Sequence, residues 1–137
     1  MNIDDIKTVG VMGGGVMGGG IAQSFIANGY TTIVRDLNDD LIEKTRASMI
    51  DGRFGLKGSV ERGKMTQADF DAAVARLSFT TDIGGLRDVD LIVEAVPENL
   101  DLKKTVFAEL DSLVKPEAIL ATNTSGFAIS DLNKAVS

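Results

Sequence analysis

Residues 11–20 read VMGGGVMGGG, the same five letters twice. Low-complexity glycine needs no positional order. The flanking sequence supplies one. Ile6–Met12 (IKTVGVM) is a short apolar run with the β-branched content of a buried strand. Residues 18–28 (GGGIAQSFIAN) place Ile21, Ala22, Phe25 and Ile26 on one helical face, and Gly29 stands where a helix-terminating glycine belongs. Between them, one register of G-x-G-x-x-G fits: Gly13, Gly15, Gly18.

A strand, that glycine register and a helix are the context of a dinucleotide site. Gly13 permits the tight turn. Gly15 lets the main chain approach a pyrophosphate, and Gly18 lets the helix pack close to the strand. Helix N–H groups and the positive end of the helix dipole then meet the anion. Gly19 and Gly20 fall outside the register. Close packing is a reason for Gly20, and the sequence offers none for Gly19. Residues 31–35 (TTIVR) predict a second strand, with Asp36 at its end, roughly 20 residues after the turn, placed for a ribose 2′-hydroxyl. A 2′-phosphate beside that carboxylate is repelled, which favours NAD over NADP, although Arg35 is a cation that suits such a phosphate. The alternative for Asp36 is a plain turn residue.

Further along, Asn38 predicts an N-cap with Asp39 and Asp40 in the acidic first turn, for a helix to about residue 50. Thr66 and Asp69 open a helix through Leu77, followed by a strand near 77–80. Residues 89–96 (VDLIVEAV) are the clearest buried strand. Asn99 caps a helix with Leu102, Val106, Leu110 and Leu113 on one face. Residues 118–122 form another strand, and Ser130 caps a last helix. Strands alternating with helices predict an α/β fold, a Rossmann-type doubly wound parallel sheet. With about five strands against six in the full fold, the sheet is expected to be incomplete at its C-terminal end. Residues 1–137 are expected to be the N-terminal portion of one nucleotide-binding domain, without the remainder of that domain.

Composition narrows the function. Net charge is −6, which argues against nucleic acid. No apolar run approaches a membrane span, and no charged-then-apolar leader is expected at the chain's start. The absence of cysteine excludes disulfides and thiol nucleophiles and fits a cytoplasmic setting. The absence of histidine removes the commonest general base and metal ligand, and no metal site is expected.

GVMGGGIAQSFIANGY, IVEAVPENLDLKK and ILATNTSGFAIS stand in the order and spacing of the L-3-hydroxyacyl-CoA dehydrogenase family, which the chain resembles over essentially its whole length. GKMTQADFDAAVARLSFTTD is similar to the 3-hydroxybutyryl-CoA dehydrogenase branch. The resemblance implies NAD as cofactor, an acyl-CoA substrate, and oxidation of a 3-hydroxyacyl-CoA to the 3-ketoacyl-CoA, or the reverse, in a homodimeric full-length protein. It implies that the glycine loop with Val16 and Met17 holds the pyrophosphate and Asp36 the adenosine ribose. Val96, Pro97 and Glu98 line the nicotinamide side. Lys103 reaches cofactor and thioester, and Ser125 hydrogen-bonds the reacting oxygen. Each has a plainer alternative: Lys103 and Lys104 as a solvated helix face, Glu98 as a charge near a helix N-terminus, Ser125 as a turn residue.

Gly52–Lys64 departs from the family, with Gly52, Gly55 and Gly58 at three-residue spacing. Arg53, Lys57, Arg62 and Lys64 stand against Glu61 alone. A mobile basic arm facing coenzyme A phosphates, with Lys57 in contact, and a frayed exposed helix are both open readings. The family's histidine base, supported by a glutamate, falls beyond the N-T-S motif. The chain is therefore expected to be an N-terminal portion of a longer enzyme, without its helical C-terminal domain and inactive alone; Glu94 or Glu98 could in principle act as base, but the sequence shows no burial that would raise a carboxylate pKa. Two alternatives remain: a stand-alone NAD-binding module, and another β-hydroxyacid dehydrogenase.

Overall fold

The computed structural model describes residues 5–52, 55–95 and 100–122. The chain runs β1 (Thr8–Met12), α1 (Gly15–Ala27), β2 (Thr31–Arg35), α2 (Asp39–Asp51), α3 (Leu56–Glu61), α4 (Gln67–Ala75), β3 (Leu77–Thr80), a 3-10 turn (Ile83–Leu86), β4 (Leu91–Glu94), α5 (Leu100–Leu113) and β5 (Ile119–Thr122). The five strands form one sheet in the order β3-β2-β1-β4-β5. Every pairing is parallel. The expected doubly wound α/β sheet is the observed one.

Strand alternation divides the core between the two sheet faces. Val11 and Val34 point to one face, where α1, α2, α3 and α4 bury Ala22, Ile26, Met49, Leu56 and Ala73 against them. Met12 and Ile92 point to the other, where α5 supplies Val106 and Leu110, and Leu86 and Val89 complete the cluster. The helix starts follow local chemistry. Asn38 accepts the Leu41 N–H at 2.9 Å, and Thr66 accepts the Asp69 N–H at 3.1 Å. Asn99 and Ser130, read as caps, lie outside the described residues.

Four expectations need correction. Helix α1 opens at Gly15, three residues before Gly18, for a reason given below. The 3-10 turn was not expected. Asp82 makes it by accepting the Gly84 N–H at 2.9 Å. On α5 the inward stripe is Lys103, Val106, Phe107 and Leu110, while Leu102 is 42% exposed. The basic stretch, read as an arm or a frayed helix, holds a short helix in its described part. Helix α3 is anchored by Leu56, which is 2% exposed, and Lys57 pairs with Asp51 at 2.8 Å. Arg53 lies outside the described residues.

At the N-terminal edge of the sheet, Asp90 fastens the central strands. Its Oδ2 accepts the N–H groups of Lys7 (2.8 Å) and Thr8 (3.1 Å) and the Thr8 hydroxyl (3.2 Å), and Oδ1 accepts from the Lys115 amine. The Lys115 bond first, then the two backbone N–H groups, hold the carboxyl well below the usual carboxylate range. Lys115 is raised in turn by the same bond.

Candidate functional site

The register brings Arg35, Met12, Glu94 and Thr122 level with one another at the carboxyl ends of β2, β1, β4 and β5. Ligands of parallel α/β sheets bind beyond this edge. The ladder continues one step past β1, with Gly13 N–H donating to Arg35 O at 2.9 Å and Ala95 N–H to Met12 O at 2.8 Å. There the chain turns into α1. Gly13 and Gly15 have φ of 96° and 77°, a backbone conformation that disfavours a side chain. A Cβ on Gly15 would meet nothing within 4 Å, so the main chain lies open to a ligand there. A Cβ on Gly18 would lie 2.0 Å from Gly13 O. The three glycines thus serve a turn, an open approach and a close packing.

The middle glycines of the two triplets act differently. A Cβ on Gly14 would lie 2.4 Å from Thr45 Oγ1 and 2.6 Å from Asp36 Oδ2. A Cβ on Gly19 would lie 3.4 Å from Thr45 Cγ2 and from Met49 Cγ. Gly19 is therefore the glycine that packs against α2. Gly20 is not, since its Cβ would meet nothing within 4 Å. Sequence reasoning missed Gly14 and Thr45 because their partners lie 22 and 30 residues apart in the chain.

Asp36 stands at the end of β2 with its carboxylate oriented by the backbone. Oδ2 accepts the Gly14 N–H at 2.9 Å and Oδ1 the Leu37 N–H at 2.8 Å. A carboxylate offers about four acceptor positions. Two remain on Asp36 among the described residues, the number that a ribose diol requires. Arg35 directs its Nε to Thr81 O at 3.2 Å, toward the neighbouring strand β3.

A cleft of about 460 Å³ opens above this edge, walled by Met12, Gly14, Met17, Leu37, Leu102 and Val106. Its apolar wall explains why Met17, Leu37 and Leu102 are exposed at 60%, 71% and 42%. An open depression of about 500 Å³ lies at the far end of α1, between Asn28, Lys64 and Arg76. It adjoins neither the glycine turn nor the carboxyl ends of the strands, so the cleft is the candidate site.

Lys103 is not a solvated residue. It is 0% exposed, and its amine donates to both oxygens of Glu94 at 2.9 and 2.7 Å. Glu94 ends β4 and is also 0% exposed. In this arrangement the amine faces Glu94 beneath the cleft. Glu94, so engaged, is not placed as a free base. Val96, Pro97, Glu98 and Ser125 lie outside the described residues, as does the side chain of Val16.

A parallel sheet in this order, with a glycine turn into α1 and an acid at the end of β2, defines a dinucleotide-binding domain. The comparisons give the family. Residues 8–137 match the description "3-hydroxyacyl-CoA dehydrogenase, NAD binding domain". The chain belongs to that family. It is 40% identical to a probable 3-hydroxybutyryl-CoA dehydrogenase of Deinococcus radiodurans, over 92% of this chain and 44% of that protein. It is 38% identical to the peroxisomal fatty acid beta-oxidation multifunctional protein MFP2 of Arabidopsis thaliana, over 94% of this chain and 17% of that protein. The crystal structure of an (S)-3-hydroxybutyryl-CoA dehydrogenase from Ralstonia eutropha superposes with a TM-score of 0.91 at 34% identity, covering 97% of this chain and 46% of that one. The chain thus spans less than half the length of these relatives. Among the described residues no helix is long and apolar enough to cross a membrane.

Proposed function

We propose that this chain is the NAD-binding part of a dehydrogenase that interconverts a 3-hydroxyacyl-CoA and the 3-ketoacyl-CoA. Beside the family membership, one observation carries the reading: Asp36, oriented by Gly14 and Leu37, keeps two acceptor positions at the mouth of an open glycine turn. The residues present fit NAD. The glycine turn and the first turn of α1, with Val16 and Met17, would take the pyrophosphate, and Asp36 the adenosine ribose. Bound NAD supplies the hydride acceptor or donor at its nicotinamide ring.

This chain's residues bind and orient. Met17, Leu37 and Leu102 form the apolar wall that excludes water from the cofactor. Val96, Pro97 and Glu98 follow β4 and would line the nicotinamide side. Ser125 follows β5 and would donate to the substrate oxygen. Lys103 would reach the same region by leaving Glu94. Lys57 and Arg53, on the basic stretch, would face the phosphates of coenzyme A. Oxidation also removes the hydroxyl proton. The 137 residues contain no histidine to take it, so the chain by itself binds cofactor without turnover. A cytoplasmic setting and a homodimer of the whole enzyme belong to the same reading.

Calorimetric titration with NADH and NADPH tests it. NADH binds preferentially to the native chain. Asp36→Asn weakens NADH about tenfold, as expected for a lost charge-assisted hydrogen bond, and narrows the preference. Equal binding of both nucleotides, or of neither, overturns the reading.

A further inference from the structure

We propose that Thr45, on α2, is the positioning residue of the dinucleotide loop, and that the middle glycine of the first triplet, Gly14, exists to admit it. The proposal rests on the cofactor reading above and names what sets the shape of that same site.

Helix α1 begins at Gly15, and its N-cap residue, Gly14, has no side chain to accept a hydrogen bond. The first N–H groups of a helix have no acceptor within it. Here the acceptor comes from another helix: Gly15 N–H donates to Thr45 Oγ1 at 3.0 Å. Thr45 is 1% exposed, so this hydroxyl is held by packing rather than by solvent. It stands where a Cβ of Gly14 would be, 2.4 Å from that position, and its methyl stands 3.4 Å from where a Cβ of Gly19 would be. One side chain therefore touches both triplets, and a larger residue at Gly14 would strike it.

The same contact reaches Asp36. Its Oδ2 lies 2.6 Å from the position of a Gly14 Cβ and accepts the Gly14 N–H. Thr45 holds Gly15 and Asp36 holds Gly14, so two successive N–H groups at the head of α1 are tied to the two elements that follow it. The next N–H groups, of Val16 and Met17, are left to the helix end and its ligand. Thr45 thereby fixes the turn before any cofactor arrives, and that preorganisation favours binding.

The test compares Thr45→Val, which keeps the shape and removes the acceptor, with Thr45→Ser, which keeps the acceptor and removes the methyl. NADH affinity, melting temperature and amide exchange at Gly15 are read on the whole chain. Thr45→Val weakens NADH about tenfold and speeds Gly15 exchange, and Thr45→Ser stays near the native values in both. A merely structural role lowers the melting temperature of both variants and leaves the affinity of the folded protein unmoved, and that result overturns the proposal. So does a Thr45→Ser chain as weak as Thr45→Val. Should Thr45→Val not fold, Thr45→Ala carries the same comparison with Thr45→Ser. A native chain that does not bind NADH overturns the cofactor reading instead. Gly15 exchange then still decides whether Thr45 holds the loop.

Discussion

Two aspartates stand at opposite edges of the same sheet, and each is met by two backbone N–H groups. Asp90, at the N-terminal edge, accepts four hydrogen bonds, including one from Lys115. Asp36, at the C-terminal edge, accepts two, and no cation is paired with it among the described residues. With about four acceptor positions per carboxylate, the first is saturated and the second half-filled. A saturated carboxylate can only hold the protein together. A half-filled one in a cleft can still take a ligand. The contrast explains why two residues of the same type, both mostly buried, have different uses.

The largest expected effect sharpens the comparison from within the C-terminal edge, where Glu94 and Lys103 form a second fully engaged group. Lys103→Met leaves Glu94 buried without its cation and costs about 3–5 kcal/mol. Urea denaturation reads the loss, and a Glu94→Leu/Lys103→Met double variant recovers most of it. A loss below that of the Asp90 variant would break the view that this pair is structural in the resting chain.

Asp90→Asn comes next, at about 2 kcal/mol for weakened hydrogen bonds to a charged group. Its pH dependence is distinctive. The folded carboxyl is depressed, so its contribution is complete above the unfolded-chain value of about 3.9. It is lost as pH falls through the lower folded value. The difference in melting temperature between native and Asp90→Asn chains is therefore constant from neutral pH to about 4 and shrinks below. An unchanging difference through the acid range would show that Lys115 and the two N–H groups do not act on Asp90 as described. Asp36→Asn, by contrast, costs less stability, since it disturbs two backbone hydrogen bonds and no ion pair among the described residues, and it weakens NADH. The smallest effect is a gain: Gly20→Ala raises stability by about 1 kcal/mol, because a Cβ there meets nothing within 4 Å. A loss on thermal melting would return Gly20 to the packing role that the sequence suggested.

The sheet was legible because its signals are local. β-branched runs mark β1, β2 and β4, and Asn38 and Thr66 cap α2 and α4. What escaped reading is set across the fold. The sequence puts the start of α1 three residues late because the acceptor for its first N–H, Thr45, lies 30 residues on. Lys103 was read as reaching the cofactor or as solvated because its carboxylate partner is on a different element. That pair also rotates the buried stripe of α5, turning Leu102 out to the cleft. In the basic stretch, regular glycine spacing hid the anchor that Leu56 provides.

The strand order has a consequence for how the chain reaches this state. The central strand β1 is first in sequence, yet its neighbour β4 and the Asp90 fastening come 82 and 83 residues later. Closing so long a loop is entropically unfavourable until the partner strand is present. During synthesis, β1 can pair early with β2 but waits for β4 with one side bare. The glycine turn at its end takes its final form within a sheet that is completed late, and such non-local pairing makes folding slow relative to helical proteins of this size.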